Sequence, residues 1–236
     1  LSGSHFSNED FRKFQEADTN AAKETQVVTD VIPSIQGNIK DRKCVSGDVP
    51  FTNLNHLTDG TLVPANPDLY YGARPEQLDP KVRRELNKYI IPSTQHDLPI
   101  TPNFFLEVKG PEGLPAVAKR QLTYNIALGA KGYDKLRSYG VSDPVFDNKA
   151  CTIGCTYYDG VLKMYTSHPI EPSIHGKQPG FVMKQLDVFT LTKDLDTFQQ
   201  GVAAYRNGRD WAKQQRDQAI AQANERAGLE STESAS

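Results

Sequence analysis

The stretch Asn103-Phe-Phe-Leu-Glu-Val-Lys109, closed by Gly110-Pro111, leaves the chain few choices of conformation. A short apolar run between a Pro- and Asp-containing loop and a Gly-Pro break is predicted to be a buried strand. Side chains two apart share a strand face, so Phe104, Leu106 and Val108 point one way, into the core, and Glu107 and Lys109 the other. A carboxylate and an ammonium thereby stand side by side above a hydrophobic support. Phosphodiester hydrolysis needs that pair: a carboxylate holds Mg²⁺ or Mn²⁺, the metal activates water and shields phosphate charge, and the lysine steadies the attacking hydroxide or the developing negative charge. The plainer reading is an ion pair on a solvated edge strand. Glu-x-Lys is expected by chance about once in such a chain. The Asp-x-Lys rivals at Asp41/Lys43, Asp79/Lys81 and Asp147/Lys149 sit in loop or helix-start contexts, whereas Glu107 lies in an apolar strand.

Asp68 follows Pro67 in a second strand-like segment, Thr61 to Tyr71, and precedes the Glu-x-Lys strand as a two-carboxylate site requires. With the backbone carbonyl of Val108, Asp68 and Glu107 form a donor set for a hard octahedral cation that keeps several waters. The alternative is that Asn66-Pro-Asp68 only starts a turn. Glu24 lies at the flank of the apolar side of the first helix, and an inward carboxylate needs a partner, either a metal or an internal cation. Gln121 opens the helix after the strand, with Tyr124 and Asn125 one turn on. It either orients Lys109 or is an ordinary amphipathic-helix residue. Lys119 and Arg120 are candidate phosphate contacts. Arg74 and Tyr71, just past Asp68, are candidates for touching a nucleic-acid strand, although Tyr70 or Tyr71 equally suits a core.

The remaining pattern is of mixed helices and strands. Ser7 caps a helix predicted to run to Ile32 and to stop at Pro33. Residues 36–60 read as loop with room for a short strand, Glu76 to Tyr89 as a helix, and about Pro115 to Arg137 as a second long helix. Ala150 to His168 reads as a hairpin about Asp159-Gly160, a dipeptide that tight type I′ turns prefer. A further strand is expected over Phe181 to Leu191 and a polar helix over Thr197 to Ala227. Residues 7–227 are expected to form one domain, with 1–6 a disordered start or expression remnant and 228–236 a disordered tail.

At 236 residues with 37% hydrophobic content the chain can bury a core without disulfides. No apolar run approaches the roughly 20 residues of a membrane span. Cys151 and Cys155, four apart in a strand, would lie about 13 Å apart, beyond disulfide reach. With Cys44 remote, a reducing intracellular location, nuclear or cytoplasmic, fits. Net charge is −2, but Lys109 to Gly140 carries six cations against Glu112 and Asp134, a basic stretch suited to a polyanion. The histidines, His5, His56, His96, His168 and His175, show no HExxH spacing, and neither GxSxG nor GxxxxGK[ST] occurs. The polar C-terminal helix leaves room for pairing with a second copy, a homodimer.

Pro67-Asp68, the strand Phe104-Phe-Leu-Glu-Val-Lys-Gly110 and the helix bearing Arg120-Gln121 resemble the PD-(D/E)XK nuclease superfamily. A closer resemblance, to uncharacterised fungal proteins with a PD-(D/E)XK nuclease-like domain, rests on Tyr71-Gly-Ala-Arg-Pro-Glu-Gln-Leu78, Ile91-Pro-Ser-Thr94, Asn103 to Pro111, Ser138-Tyr-Gly140, Leu162 to Pro169 and Arg209-Asp-Trp-Ala-Lys213. The resemblance implies an α/β fold with a central mixed sheet flanked by helices (restriction-endonuclease-like), Mg²⁺ or Mn²⁺ as cofactor, and nucleic acid as substrate, DNA before RNA. Carried over, Asp68 and Glu107 are metal ligands, Lys109 is the catalytic lysine, Glu24 matches the helix acid of several branches and Gln121 the glutamine of RecB-like ones. Those branches place tyrosine four residues after the glutamine, where this chain has Asn125. Because fold and function separate easily, a nuclease-fold module that binds nucleic acid or protein without turnover is the alternative.

Overall fold

The apolar run that contains Glu107 lies in the middle of a sheet. A computed structural model of the chain describes residues 6–95, 97–141, 146–172 and 178–233. The elements are α1 (Asn8–Asn20), α2 (Glu24–Gln26), α3 (Ile32–Gln36), β1 (Val45–Ser46), β2 (Leu69–Ala73), α4 (Pro80–Glu85), α5 (Asn87–Ile90), β3 (Ile100–Lys109), α6 (Pro115–Arg137), β4 (Thr152–Tyr158), β5 (Val161–Ile170), β6 (Gly180–Thr190) and α7 (Leu195–Glu233). Together they form an α/β arrangement, a six-stranded mixed sheet in the order β1-β2-β3-β4-β5-β6 flanked by helices. β3 pairs antiparallel with β2 and parallel with β4, and α6 makes the crossover that a parallel pair demands.

Both faces of β3 are covered, and all ten of its residues are buried. Phe104, Leu106 and Val108 pack with Phe14, Val31, Ile32, Phe198, Val202 and Tyr205 from α1, α3, the turn before it and the first half of α7. Phe105 on the other face meets Leu122 and Ile126 of α6, together with Phe51 and Tyr70. The face carrying Glu107 and Lys109 is therefore not a solvated one. A further cluster joins Ile90, Ile100 and Leu136 to Ala219, Ile220 and Ala223 of the second half of α7.

Several boundaries differ from the sequence expectation, each for a local reason. The first helix is broken. The Ala21 N–H turns back to Asp18 O and closes α1, and the Gln26 side chain accepts from the Ala22 and Lys23 N–H groups to start α2. A π-turn over Val27–Val31 then leads into α3, where Pro33 sits in the first turn and no N–H is missed. The strand expected from Thr61 begins at Leu69, and the helix expected over Glu76 to Tyr89 is split into α4 and α5 around the non-helical Leu86. α7 runs on to Glu233, so residues 228–233, expected as tail, continue the helix. Residues 1–5 and 234–236, with His5, His96 and His175, lie outside the described residues.

Elsewhere the boundaries agree closely with the pattern. α6 spans Pro115–Arg137, and the β4–β5 hairpin turns on Asp159 and Gly160. Both turn residues have positive φ, 48° and 69°, as a type I′ turn requires. The three cysteines are free. Among the described residues no helix is long and apolar enough to cross a membrane.

Candidate functional site

Leu69 of β2 pairs with Leu106 of β3, so one further antiparallel step sets Asp68 across from Glu107. The Val108 N–H donates to Asp68 Oδ2 at 2.6 Å and locks that carboxylate to the strand end. Lys109 Nζ donates to the Val108 carbonyl at 2.7 Å and to Glu24 Oε2 at 3.1 Å, and lies 3.9 Å from Asp68 Oδ2. Segments 41 to 85 residues apart in sequence thus meet around one ammonium, which a lone edge-strand ion pair would not require.

Glu24 reaches this point because α2 docks against the residue that ends β3. A Cβ on Gly110 would stand 2.6 Å from Glu24 N and 3.0 Å from Lys23 C, both backbone atoms. Only glycine lets the two segments come this close. The Glu24 side chain keeps 41% exposure and Asp68 keeps 21%, so the cluster opens to solvent on that side.

Glu107 is the innermost member, with 0% exposure. Asn125 Nδ2 of α6 donates to its Oε1 at 2.5 Å, while its Oε2 is buried with no hydrogen-bond partner among the described residues. Burial, and then the neighbouring Asp68 charge, push the Glu107 pKa up to about 8. Burial also raises the pKa of Asp68, against the opposing effects of the Val108 N–H and Lys109. Two close carboxylates, one with an orphaned oxygen, are donors of the kind a hard divalent cation takes. The Val108 carbonyl and Glu24, expected as further ligands, each accept a hydrogen bond from Lys109 Nζ. Among the described residues no three His, Cys, Asp or Glu side chains are gathered closely enough to hold a metal by themselves.

Other expected residues fall elsewhere. Gln121 is exposed on α6, and the amide that meets Glu107 belongs to Asn125. The reason is helical phase: Leu122, Ile126 and Gly129 face the sheet, and Asn125 shares their side. The sequence places Asn125 one turn after Gln121 and marks it as a departure from the RecB-like tyrosine, and its spacing from the Leu122–Ile126 stripe is the signal that turns it inward. Tyr71 is 6% exposed, packs edge-on against Phe104 and accepts from Gln36, so it is largely a core residue and offers little surface to a nucleic-acid strand. Arg74 is paired with Asp41 at 2.6 Å. Lys119 and Arg120 are exposed near the start of α6, while Lys131 and Lys135 lie over the Tyr89 ring and Arg137 pairs with Asp134 and Asp147. The basic stretch is thus partly spent on internal contacts.

Comparison with protein-family models, with curated proteins and with solved structures finds no match for this chain.

Proposed function

We propose that this protein is a divalent-cation-dependent nuclease of the PD-(D/E)XK kind, hydrolysing phosphodiester bonds of DNA. The observation that carries the reading is the meeting of Asp68, Glu107 and Lys109 at the paired ends of β2 and β3, with Glu24 beside them. The mixed sheet with helices on both faces supports a restriction-endonuclease-like fold. Exposed Lys119 and Arg120 supply cations for a phosphate backbone.

The donor set fits Mg²⁺ or Mn²⁺. The orphaned Glu107 Oε2 and the mutual repulsion of Glu107 and Asp68 are both relieved by a cation between them, and Mg²⁺ is commonly bound through one or two carboxylates with water completing its shell. When bound, such an ion supplies Lewis-acid polarisation of phosphate and a water of lowered pKa. The chain's own residues do the rest. Asn125 fixes the orientation of Glu107, and the Val108 N–H fixes Asp68. Glu24 and the Val108 carbonyl hold the Lys109 ammonium at a defined place, where its charge stabilises negative charge building on the phosphoryl oxygens.

The test is cleavage of plasmid and single-stranded DNA with Mg²⁺ or Mn²⁺ by the parent, Glu107→Ala and Lys109→Ala, with circular dichroism to confirm folding. The parent is expected to cut, and each variant to lose at least about a hundredfold in rate. Equal activity in all three would remove these residues from the mechanism. A second reading rests on the complete burial of Glu107, which together with the Asp68 charge raises its pKa and favours the protonated carboxyl. In that reading the domain binds nucleic acid or protein without turnover. Calorimetry showing DNA affinity but no Mn²⁺ binding favours it.

A further inference from the structure

On the α7 side of β2, across the sheet from Asn125, lies a cavity of about 300 Å³ whose charged lining is Lys40, Asp41, Arg209, Asp210, Lys213 and Arg216. Its volume is at the lower end of the range for small-molecule sites. Most of the charges around it are accounted for. Asp41 pairs with Arg74, Arg209 with Asp210, and Lys213 with Asp217. Two cations of the lining, Lys40 and Arg216, make no ion pair among the described residues.

Arg216 is the unusual one, with only 2% exposure. Its Nη1 donates to Asn103 Oδ1 and to the Tyr71 carbonyl, both neutral acceptors, and its Nε has no hydrogen-bond partner among the described residues. Burial draws its pKa down to about 10 against the opposing charge of Asp217, which leaves it charged at neutral pH. A buried guanidinium with no anion in direct contact is poorly compensated for its lost hydration, and an anionic ligand beside it offsets that loss. Arginine and lysine together suit phosphate, the first as a planar fork and the second as a point charge. Tyr71 and Ile39 add an apolar wall.

We propose that this cavity binds a small dianionic ligand, either free phosphate or the phosphate group of a phosphate monoester, with Arg216 at its base and Lys40, Lys213 and Arg209 around it. Cys44, half-buried in the same wall, reports occupancy because a ligand there blocks its alkylation, whereas Cys151 lies outside the cavity lining.

The test titrates the full-length chain with inorganic phosphate and, separately, with adenosine monophosphate. Calorimetry is followed alongside the rate of iodoacetamide labelling at Cys44 and Cys151. Saturable binding is expected, with slower labelling of Cys44 and unchanged labelling of Cys151. Arg216→Met should weaken binding by about tenfold or more. The exposed double change Lys40→Ala/Lys213→Ala should weaken it similarly and leaves the core untouched, so it decides the matter even if Arg216→Met fails to fold. Tighter binding of the nucleotide than of phosphate assigns the organic moiety to the Tyr71–Ile39 wall, and the reverse assigns the free anion. No binding, unprotected Cys44, or affinity equal in the parent and the Lys40/Lys213 variant overturns the proposal.

Discussion

A carboxylate with no solvent exposure, as at Glu107, persists only with some polar group beside it. Asn125 Nδ2 serves one oxygen, and the hydrogen bond favours the ionised form that burial and Asp68 oppose. Replacing Asn125 with leucine, close in size and apolar, is expected to cost about 1–3 kcal/mol in urea unfolding. The sign with pH follows from the upward shift, from 4.5 to about 8. Because the folded pKa exceeds the unfolded one, raising pH through that window ionises Glu107 at the expense of stability, and the Asn125 contact matters more above about pH 8 than near pH 6. Gln121→Ala should stay within about 0.5 kcal/mol, since that side chain is exposed. A costly Gln121 change beside a silent Asn125 change would show that the wrong amide had been assigned. The strand acids were readable because a period of two separates Glu107 and Lys109 from the apolar residues between them. That Asn125 and not Gln121 meets the strand is less legible. It depends on which stripe of α6 meets the sheet, a tertiary matter that local spacing only hints at.

At the scale of elements, what brings Glu24 to the site is the docking of α2 on the end of β3, and the ion pair is secondary. Glu24 keeps 41% of its side chain exposed, so its pairing with Lys109 is worth at most about 1 kcal/mol, and Glu24→Gln should cost no more than that. Gly110→Ala should cost more, about 1–3 kcal/mol, because its Cβ would meet backbone atoms at 2.6 Å and 3.0 Å that no side-chain rotation can clear. Urea unfolding of the two variants checks the order, and a smaller loss for Gly110→Ala would mean that the α2 segment yields freely. The same region shows where local pattern falls short. α6 and the β4–β5 hairpin were legible because each carries an unbroken period and clear end signals, Gly110-Pro111 before α6 and Asp159-Gly160 in the hairpin. The break between α1 and α2 was not. Its cause is a side chain, Gln26, that competes for backbone donors within an otherwise helical pattern.

Over the whole molecule, α7 is the element that ties the parts together. Its 39 residues extend over roughly 58 Å at helical rise. The first half, with Phe198, Val202, Tyr205 and Ala212, packs into the cluster around Phe104, and the second half, with Ala219, Ile220 and Ala223, into the cluster around Ile90 and Leu136. Arg216 sits between the two and reaches β2 and β3 through the Tyr71 carbonyl and Asn103. Gly208, in the first half, has Met164 and Ile153 packed where its Cβ would stand, so the helix is held against the sheet there. Damage to the second cluster should therefore be felt by the first. Ile220→Ala, at 5% exposure, is expected to cost about 2–4 kcal/mol. The loss should appear as one shifted transition, with fluorescence of Trp211, between the halves of α7, and far-UV dichroism moving to the same lower urea midpoint. Two separated transitions in the variant, one for each probe, would mean that the clusters fold independently and that residues 7–227 are not a single cooperative unit.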